Sequence, residues 1–306
     1  MGKASRTKVD SSRREKIAAQ RAAARRADQR RRILIAGGSI LAVIVIVVVF
    51  IVVKASSSPS TAKTAAPNGP TGAALASVVA KVTSVPASTL NTVGAGGGAV
   101  TNKPATIPGS ALTAGGKPEM LYLGAEYCPY CAAERWAMIV ALSRFGTFSG
   151  LATVHSSSTD VYANTPTWTF VHATYTSKYL AFTSVEMETN IPTSTSYTTL
   201  QTPTAAENAL LAKYDNAPYI SSSDAGSIPF VDFGNKYMIV GASYSPQVLS
   251  RLSWSTIATD LSNPSSPVAK GVDGTANYIT AAICKMTGNQ PASACTPAVQ
   301  SLESQL

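Results

Sequence analysis

The residues of this 306-residue chain best suited to do chemistry lie in one stretch, Glu126-Tyr127-Cys128-Pro129-Tyr130-Cys131-Ala132-Ala133-Glu134-Arg135. Two cysteines three apart can form and break a small-ring disulfide when they sit on one turn of helix. The chemistry depends on thiolate. A cysteine of pKa near 8.5 is only about 3% thiolate at pH 7, whereas one lowered to about 6, as in Cys-X-X-Cys motifs, is about 90% thiolate. Two other readings fit the same pair: a structural disulfide, or half of a zinc site. The zinc reading needs a second close Cys or His pair, and none stands near it.

The flanking elements decide where the sulfurs go. Met120-Leu121-Tyr122-Leu123-Gly124-Ala125 reads as a short buried strand after the turn Gly115-Gly116-Lys117-Pro118. Beyond the motif, Ala132, Trp136, Ile139 and Val140 recur at helical spacing and form an apolar face. Pro129 suits the first turn of that helix, where its missing N–H costs nothing. Cys128 is therefore expected at a strand-to-helix junction, where free N–H groups and the helix dipole favour a thiolate. Cys131 lies one turn inside, where burial raises a thiol pKa. Cys128 is expected to be the more exposed, attacking sulfur and Cys131 the resolving one. Glu126, Glu134 and Arg135 flank the pair, and the plain reading makes them solvated helix ends, with Glu134 and Arg135 pointing outward.

A strand, then Cys128-Pro129-Tyr130-Cys131, then a helix resembles the active-site unit of the thioredoxin-like superfamily, and Pro129-Tyr130 is similar to the dipeptide of glutaredoxins. Ser227-Ile228-Pro229-Phe230-Val231-Asp232-Phe233 fits that superfamily's cis-proline strand, so the resemblance implies that Pro229 shapes a substrate groove facing the cysteines. The string Gly124 to Trp136 is similar to a narrower group, the membrane-anchored thioredoxin-like proteins catalogued as "domain of unknown function 929", over most of the chain from about Ala74. The resemblance also implies a job for a carboxylate in proton transfer to the buried Cys131, with Glu126 the first candidate and Glu134 the second. It names no substrate. Two departures matter: Glu126-Tyr127 stands where a thioredoxin has a tryptophan pair, and Cys128 and Pro229 are 101 residues apart, so a large segment, around 147–216, is inserted between them.

The net charge of +9 is confined to one place. Residues 1–32 carry twelve Lys/Arg against three Asp/Glu, and the rest of the chain carries thirteen of each. A basic tail beside a membrane span is the positive-inside signal; a nucleic-acid arm is the competing reading. Ile33–Val53 is 21 residues without a charge. As a helix it would be about 31 Å long, against a hydrocarbon core of about 30 Å. A signal peptide has a shorter apolar core, roughly 7–15 residues, and Val53-Lys54-Ala55 is a poor cleavage site. The expected organisation is a cytoplasmic tail (1–32), a single transmembrane helix (33–53), a flexible Ser/Ala/Pro/Gly tether (54–72) and an extracytoplasmic domain (73–306). All four cysteines then lie outside, where disulfides persist. Cys284 and Cys295, joined by a helix end and a turn-rich loop, are expected to form a structural disulfide, with a second redox pair as the alternative.

The expected fold class is α/β: a thioredoxin-like central sheet flanked by helices, with the insertion between the Cys-X-X-Cys helix and the cis-proline strand. Strands are expected within Ala99–Leu112, Leu151–His155, Trp168–Ala173 and Leu180–Glu186, with a hairpin Phe230–Phe233/Tyr237–Val240. Helices are expected near Ala74–Val82 and over Thr204–Tyr214, Pro246–Ser253, Thr256–Leu261 and Val268–Thr287. His155 and His172, the only histidines, are far from the cysteines and read as ordinary. No Ser-His-Asp pattern, phosphate-binding glycine loop or paired-carboxylate motif stands out. The reading is a membrane-anchored thiol-disulfide oxidoreductase with no cofactor, no metal and no nucleic acid. Its partners are extracytoplasmic protein thiols and disulfides, a membrane redox partner, and the bilayer through residues 33–53. The alternative is a binding or assembly module with structural disulfides only.

Overall fold

A computed structural model describes residues 69–306, which lie in one compact unit, Ala62–Leu306. The basic tail, the apolar stretch 33–53 and most of the tether lie outside the described residues. Among the described residues no single helix is long and apolar enough to cross a membrane.

A mixed sheet stands at the centre. Strand β3 (Lys117–Gly124) pairs in parallel with β8 (Ala181–Glu186) and antiparallel with β11 (Phe230–Phe233). The sheet continues through β12 (Tyr237–Val240) to the two-residue strand β1 (Ala105–Thr106). The short β2 (Thr113–Ala114) pairs with the start of β3. The Phe230–Phe233/Tyr237–Val240 hairpin turns at Gly234-Asn235, both with positive φ, as the sequence suggests. Ala99–Leu112 yields only β1, because Pro104 and Pro108 bracket it and a proline cannot donate to a ladder.

Side-chain alternation divides β3 between two cores. Met120 and Tyr122 enter the larger core, with Val231 and Phe233 opposite them in register; Leu121 and Leu123 enter the smaller one with Phe230. Among the described residues there are seven α-helices: α1 (Gly72–Thr83), α2 (Ala87–Val93), α3 (Pro129–Leu142), α4 (Ala205–Tyr214), α5 (Trp254–Asp260), α6 (Pro267–Met286) and α7 (Pro297–Glu303). The long helices α3 and α6 fill the larger core, and α4 closes the smaller one through Tyr214, Leu210 and Leu211. Helix α4 opens on a capping box between Thr204 and Glu207. Pro246–Leu249 is a short 3-10 turn rather than a longer helix, and α2 and α7 are additions to the expected set.

Helix α3 is apolar enough to be buried on nearly every side: Pro129 and all residues from Cys131 to Leu142 are buried. Its neighbours use its full circumference. The Trp136 indole donates to Pro166 O at 2.9 Å, the Thr167 hydroxyl to Ala132 O at 2.9 Å, and the Tyr244 hydroxyl to Ala133 O at 2.8 Å.

Between α3 and β11 the chain makes two nested antiparallel pairs and a hairpin. Strand β4 (Gly146–Ser149) pairs with β7 (Thr174–Ser177), and β5 (Ala152–His155) with β6 (Pro166–Thr169). Strand β9 (Glu188–Pro192) then folds on β10 (Tyr197–Thr199). β8 alone joins the central sheet; the rest of the excursion covers α3 and the cysteine end of the domain.

Candidate functional site

Cys128 is the N-cap of α3 and Pro129 its first residue, so the strand-to-helix junction lies where the residue pattern puts it. The Cys128 sulfur accepts the Cys131 backbone N–H at 3.3 Å, a cap usually made by an oxygen. Both thiols are free. Cys128 is 5% exposed and Cys131 is fully buried. Cys128 is thus the more accessible of the two, but by a narrow margin; the exposed member of the motif is Tyr130, at 40%.

The two sulfurs are held at opposite ends of the thiol range. A hydrogen bond from the Cys131 thiol, then the Cys131 and Tyr130 backbone N–H groups and the Arg135 charge, hold Cys128 below the usual value against the effect of burial. Burial pushes Cys131 well above it, and the Cys128 sulfur adds to that rise.

Ile228-Pro229 is a cis peptide at the mouth of β11, and the Cys128 thiol donates to Ile228 O at 3.6 Å. Antiparallel pairing of β11 with β3 carries this segment to the cysteines, 100 residues away in sequence. A cavity of about 630 Å³ opens beside it, lined by Tyr130, Ile220, Asp224, Ser227, Ile228 and Val240 among others. Asp224 is the one charged side chain of that lining.

The inserted segment supplies the opposite rim. Ser157 N–H donates to Tyr127 O at 2.8 Å, and Glu126 N–H to Glu188 O at 2.8 Å. Tyr197 stacks on Tyr127 with centroids 4.1 Å apart, and Tyr162 meets Tyr130 edge-on at 6.0 Å. Aromatic residues of the inserted segment thus frame the cysteine pair.

Glu134 and Arg135 do not point outward; both are fully buried, because α3 has no solvent face to offer them. Arg135 reaches beneath the motif and grips Glu186 with two bonds, Nε to Oε1 at 2.8 Å and Nη2 to Oε2 at 2.6 Å, while Nη2 also donates to Ala125 O at 2.6 Å. Glu186 ends β8, where the parallel register sets it opposite Gly124. Glu134 turns the other way and accepts from the Ser243 N–H at 2.9 Å and the Ser243 hydroxyl at 3.0 Å. Burial lifts its carboxyl to about 7 despite those two bonds. A charged pair inside an otherwise apolar 14-residue helix was the available sign that both are buried.

Glu126 is fully buried, and neither carboxylate oxygen has a hydrogen-bond partner. Burial raises its pKa, the nearby Thr169 hydroxyl and Arg135 lower it, and Glu186 raises it further. Glu126 therefore belongs to the acid–guanidinium pocket under the motif, and makes no hydrogen bond to either sulfur.

Cys284 and Cys295 form a disulfide with a Cα–Cα distance of 5.7 Å. It packs in the larger core, remote in sequence from the other pair. Among the described residues no group of three His, Cys, Asp or Glu side chains is placed to hold a metal ion. His155 packs edge-on against Trp254.

These features define a mixed α/β protein with a buried dithiol capping a central helix. The chain belongs to the family described as "Domain of unknown function (DUF929)", whose model matches residues 103–285, a span holding the dithiol, Pro229 and Cys284. No curated protein and no solved structure matches the chain.

Proposed function

We propose that this protein is a membrane-anchored, extracytoplasmic thiol-disulfide oxidoreductase with a thioredoxin-like core, working through Cys128 and Cys131. The observation that carries the reading is the divided dithiol: two free sulfurs on one helix N-terminus, one held low and one high in pKa, with the Ile228 carbonyl 3.6 Å from the first. Structural cysteines have no need of such a division. The sheet order β8-β3-β11-β12, with α3 following β3 and the cis-proline opening β11, supports the thioredoxin-like comparison.

In the reducing direction the Cys128 thiolate attacks a substrate disulfide. One substrate sulfur leaves as a thiolate and a mixed disulfide forms at Cys128. Cys131, once deprotonated, attacks the Cys128 sulfur. The Cys128–Cys131 bond forms, the second substrate thiolate departs, and two electrons have passed to the substrate. The oxidising direction is the reverse. The cavity beside Ile228 offers backbone, apolar and carboxylate groups, which suits a segment of polypeptide as the thiol or disulfide partner. The basic tail and the apolar stretch 33–53 support anchoring, with a membrane redox partner to recycle the pair.

A second reading takes its support from the 5% exposure of Cys128: a binding or assembly module whose dithiol closes into a structural disulfide. Replacement of each sulfur separates the two. Cys131→Ser should accumulate reducible mixed disulfides with partner proteins, seen as high-mass bands on non-reducing gels, and Cys128→Ser should trap none. Trapping by neither variant, with wild-type function retained in cells, would leave the module reading in place.

A further inference from the structure

Resolution of a mixed disulfide requires Cys131 as a thiolate, yet Cys131 is fully buried and held well above the ordinary thiol range by that burial. Something must lower the cost of charging it. Four groups stand near. Arg135, from α3, favours the thiolate, but its charge is already engaged by Glu186 of β8. The Ala125 backbone N–H favours it as well. Cys128 disfavours it. The fourth is Tyr122 of β3.

Tyr122 is fully buried and its hydroxyl has no hydrogen-bond partner. An unpartnered buried hydroxyl destabilises the fold, and phenylalanine would fill the same core without that cost. The ring is fixed by Phe170, edge-on at 5.5 Å, and by the Arg135 guanidinium 5.8 Å from its centroid. Alternation along β3 puts Tyr122 and Gly124 on the same face, the face covered by α3. A methyl carbon built on Gly124 would lie 2.1 Å from the Tyr122 hydroxyl and 3.1 Å from the Cys131 sulfur. Hydroxyl and sulfur therefore border the same small space, which only glycine leaves open. In the dithiol form they share it without a hydrogen bond.

We propose that the Tyr122 hydroxyl is the hydrogen-bond donor that receives the Cys131 thiolate during resolution, making Tyr122 a positioning residue for the reaction proposed above, on which this inference rests. Burial holds the phenol well above its ordinary pKa, so it remains a neutral donor and never competes as an anion. The electron balance of the step is unchanged: Cys131 supplies the pair that forms the Cys128–Cys131 bond, the substrate thiolate leaves with the pair of the broken bond, and the proton lost by Cys131 is matched by the one that thiolate takes up. Tyr122 keeps its own proton throughout.

Ellman's reagent tests this on the reduced full chain, with Cys284–Cys295 intact, because it separates the two sulfurs in time. Attack by Cys128 releases a first equivalent of thionitrobenzoate, and resolution by Cys131 releases the second. Tyr122→Phe should leave the first phase unchanged. It should slow the second about tenfold near pH 7, move its pH midpoint upward by about one unit, and recover the full rate in alkali, as expected for loss of one hydrogen bond to a charged group. Substituting 3-fluorotyrosine at Tyr122, a stronger donor of nearly the same volume, should move the midpoint the other way. A purely structural Tyr122 would leave both midpoints at the wild-type value, and that result would overturn the proposal. A wild-type protein that releases no second equivalent at any pH refutes the oxidoreductase reading itself, so the two failures are distinct.

Discussion

Asp273 is a fully buried carboxyl on α6 with no partner for either oxygen, and burial pushes its pKa up to about 8. An unfolded aspartate titrates near 4. The folded state therefore binds this proton more tightly than the unfolded chain. The stabilisation is complete below about pH 4 and is lost as pH rises to about 8. Glu134, raised to about 7, acts in the same sense over the lower part of that window. The melting temperature is expected to fall between pH 5 and pH 8. Asp273→Asn keeps the shape and removes the charge, so it should raise stability at pH 8 by on the order of a few kcal/mol, by a much smaller amount at pH 5, and change little below about pH 4. Thermal melts across that range check this; parallel wild-type and variant profiles would count against it. None of this burial is visible in the sequence, where Asp273 stands among Gly271, Val272, Gly274 and Thr275 with no sign of its depth.

At the scale of elements, the axis of the domain is the contact of α3 with α6. Arg144, just past α3, donates to the Asn277 and Thr280 side chains of α6 and, at 2.9 Å, to Ala294 O in the disulfide loop. Asn277 in turn donates to Leu90 O and Gly94 O at the end of α2. The Cys284–Cys295 bridge thus closes a loop on which the rear of α3 leans, well away from the dithiol at its front. Loop-closure entropy gives about 3 kcal/mol for a loop of this size. Replacing both cysteines by serine should lower thermal stability by about that amount and leave thiol-disulfide turnover per folded molecule intact. An unchanged melting point with turnover abolished would assign this pair a place in electron transfer instead. The helix expected over Pro246–Ser253 is cut short: Pro246 begins a 3-10 turn, which ends at Leu249 when Ser250 turns extended and Arg251 takes a positive φ, a stop no helical period predicts.

For the whole molecule, charge asymmetry is the informative quantity. The excess of Lys/Arg lies wholly in residues 1–32, ahead of the uncharged stretch 33–53. If that stretch anchors the chain with its basic end inside, protease added to intact cells should remove everything beyond Lys54 and spare the tail. Digestion of the tail with protection of the domain would invert the orientation. On the proposed anchoring, the residues from 54 to 72 expected as a flexible tether would have a root-mean-square reach of about 24 Å at most, which would keep the dithiol near the bilayer surface and near the proposed membrane-borne redox partner.

Local signals in the sequence were enough for some of this. The strand and helix around Cys128, the N-terminal Pro129 and the hairpin turn at Gly234-Asn235 follow from residue preferences acting over a few positions. Pairing of Cys284 with Cys295 is likewise a short-range matter, settled within eleven residues. What only the tertiary structure decided is the company these residues keep. Arg135 meets Glu186, Glu134 meets Ser243, Tyr197 meets Tyr127, and the Tyr122 hydroxyl faces the space beside Cys131, through partners up to 109 residues away. The physical reason is that a helix period marks which residues are apolar, but not how many sides of the helix the fold will cover. Once α3 is enclosed on every side, its charged residues cannot turn to water, and the chain must bring partners to them. That enclosure makes a motif readable in ten residues into a site assembled from five separate segments of the fold.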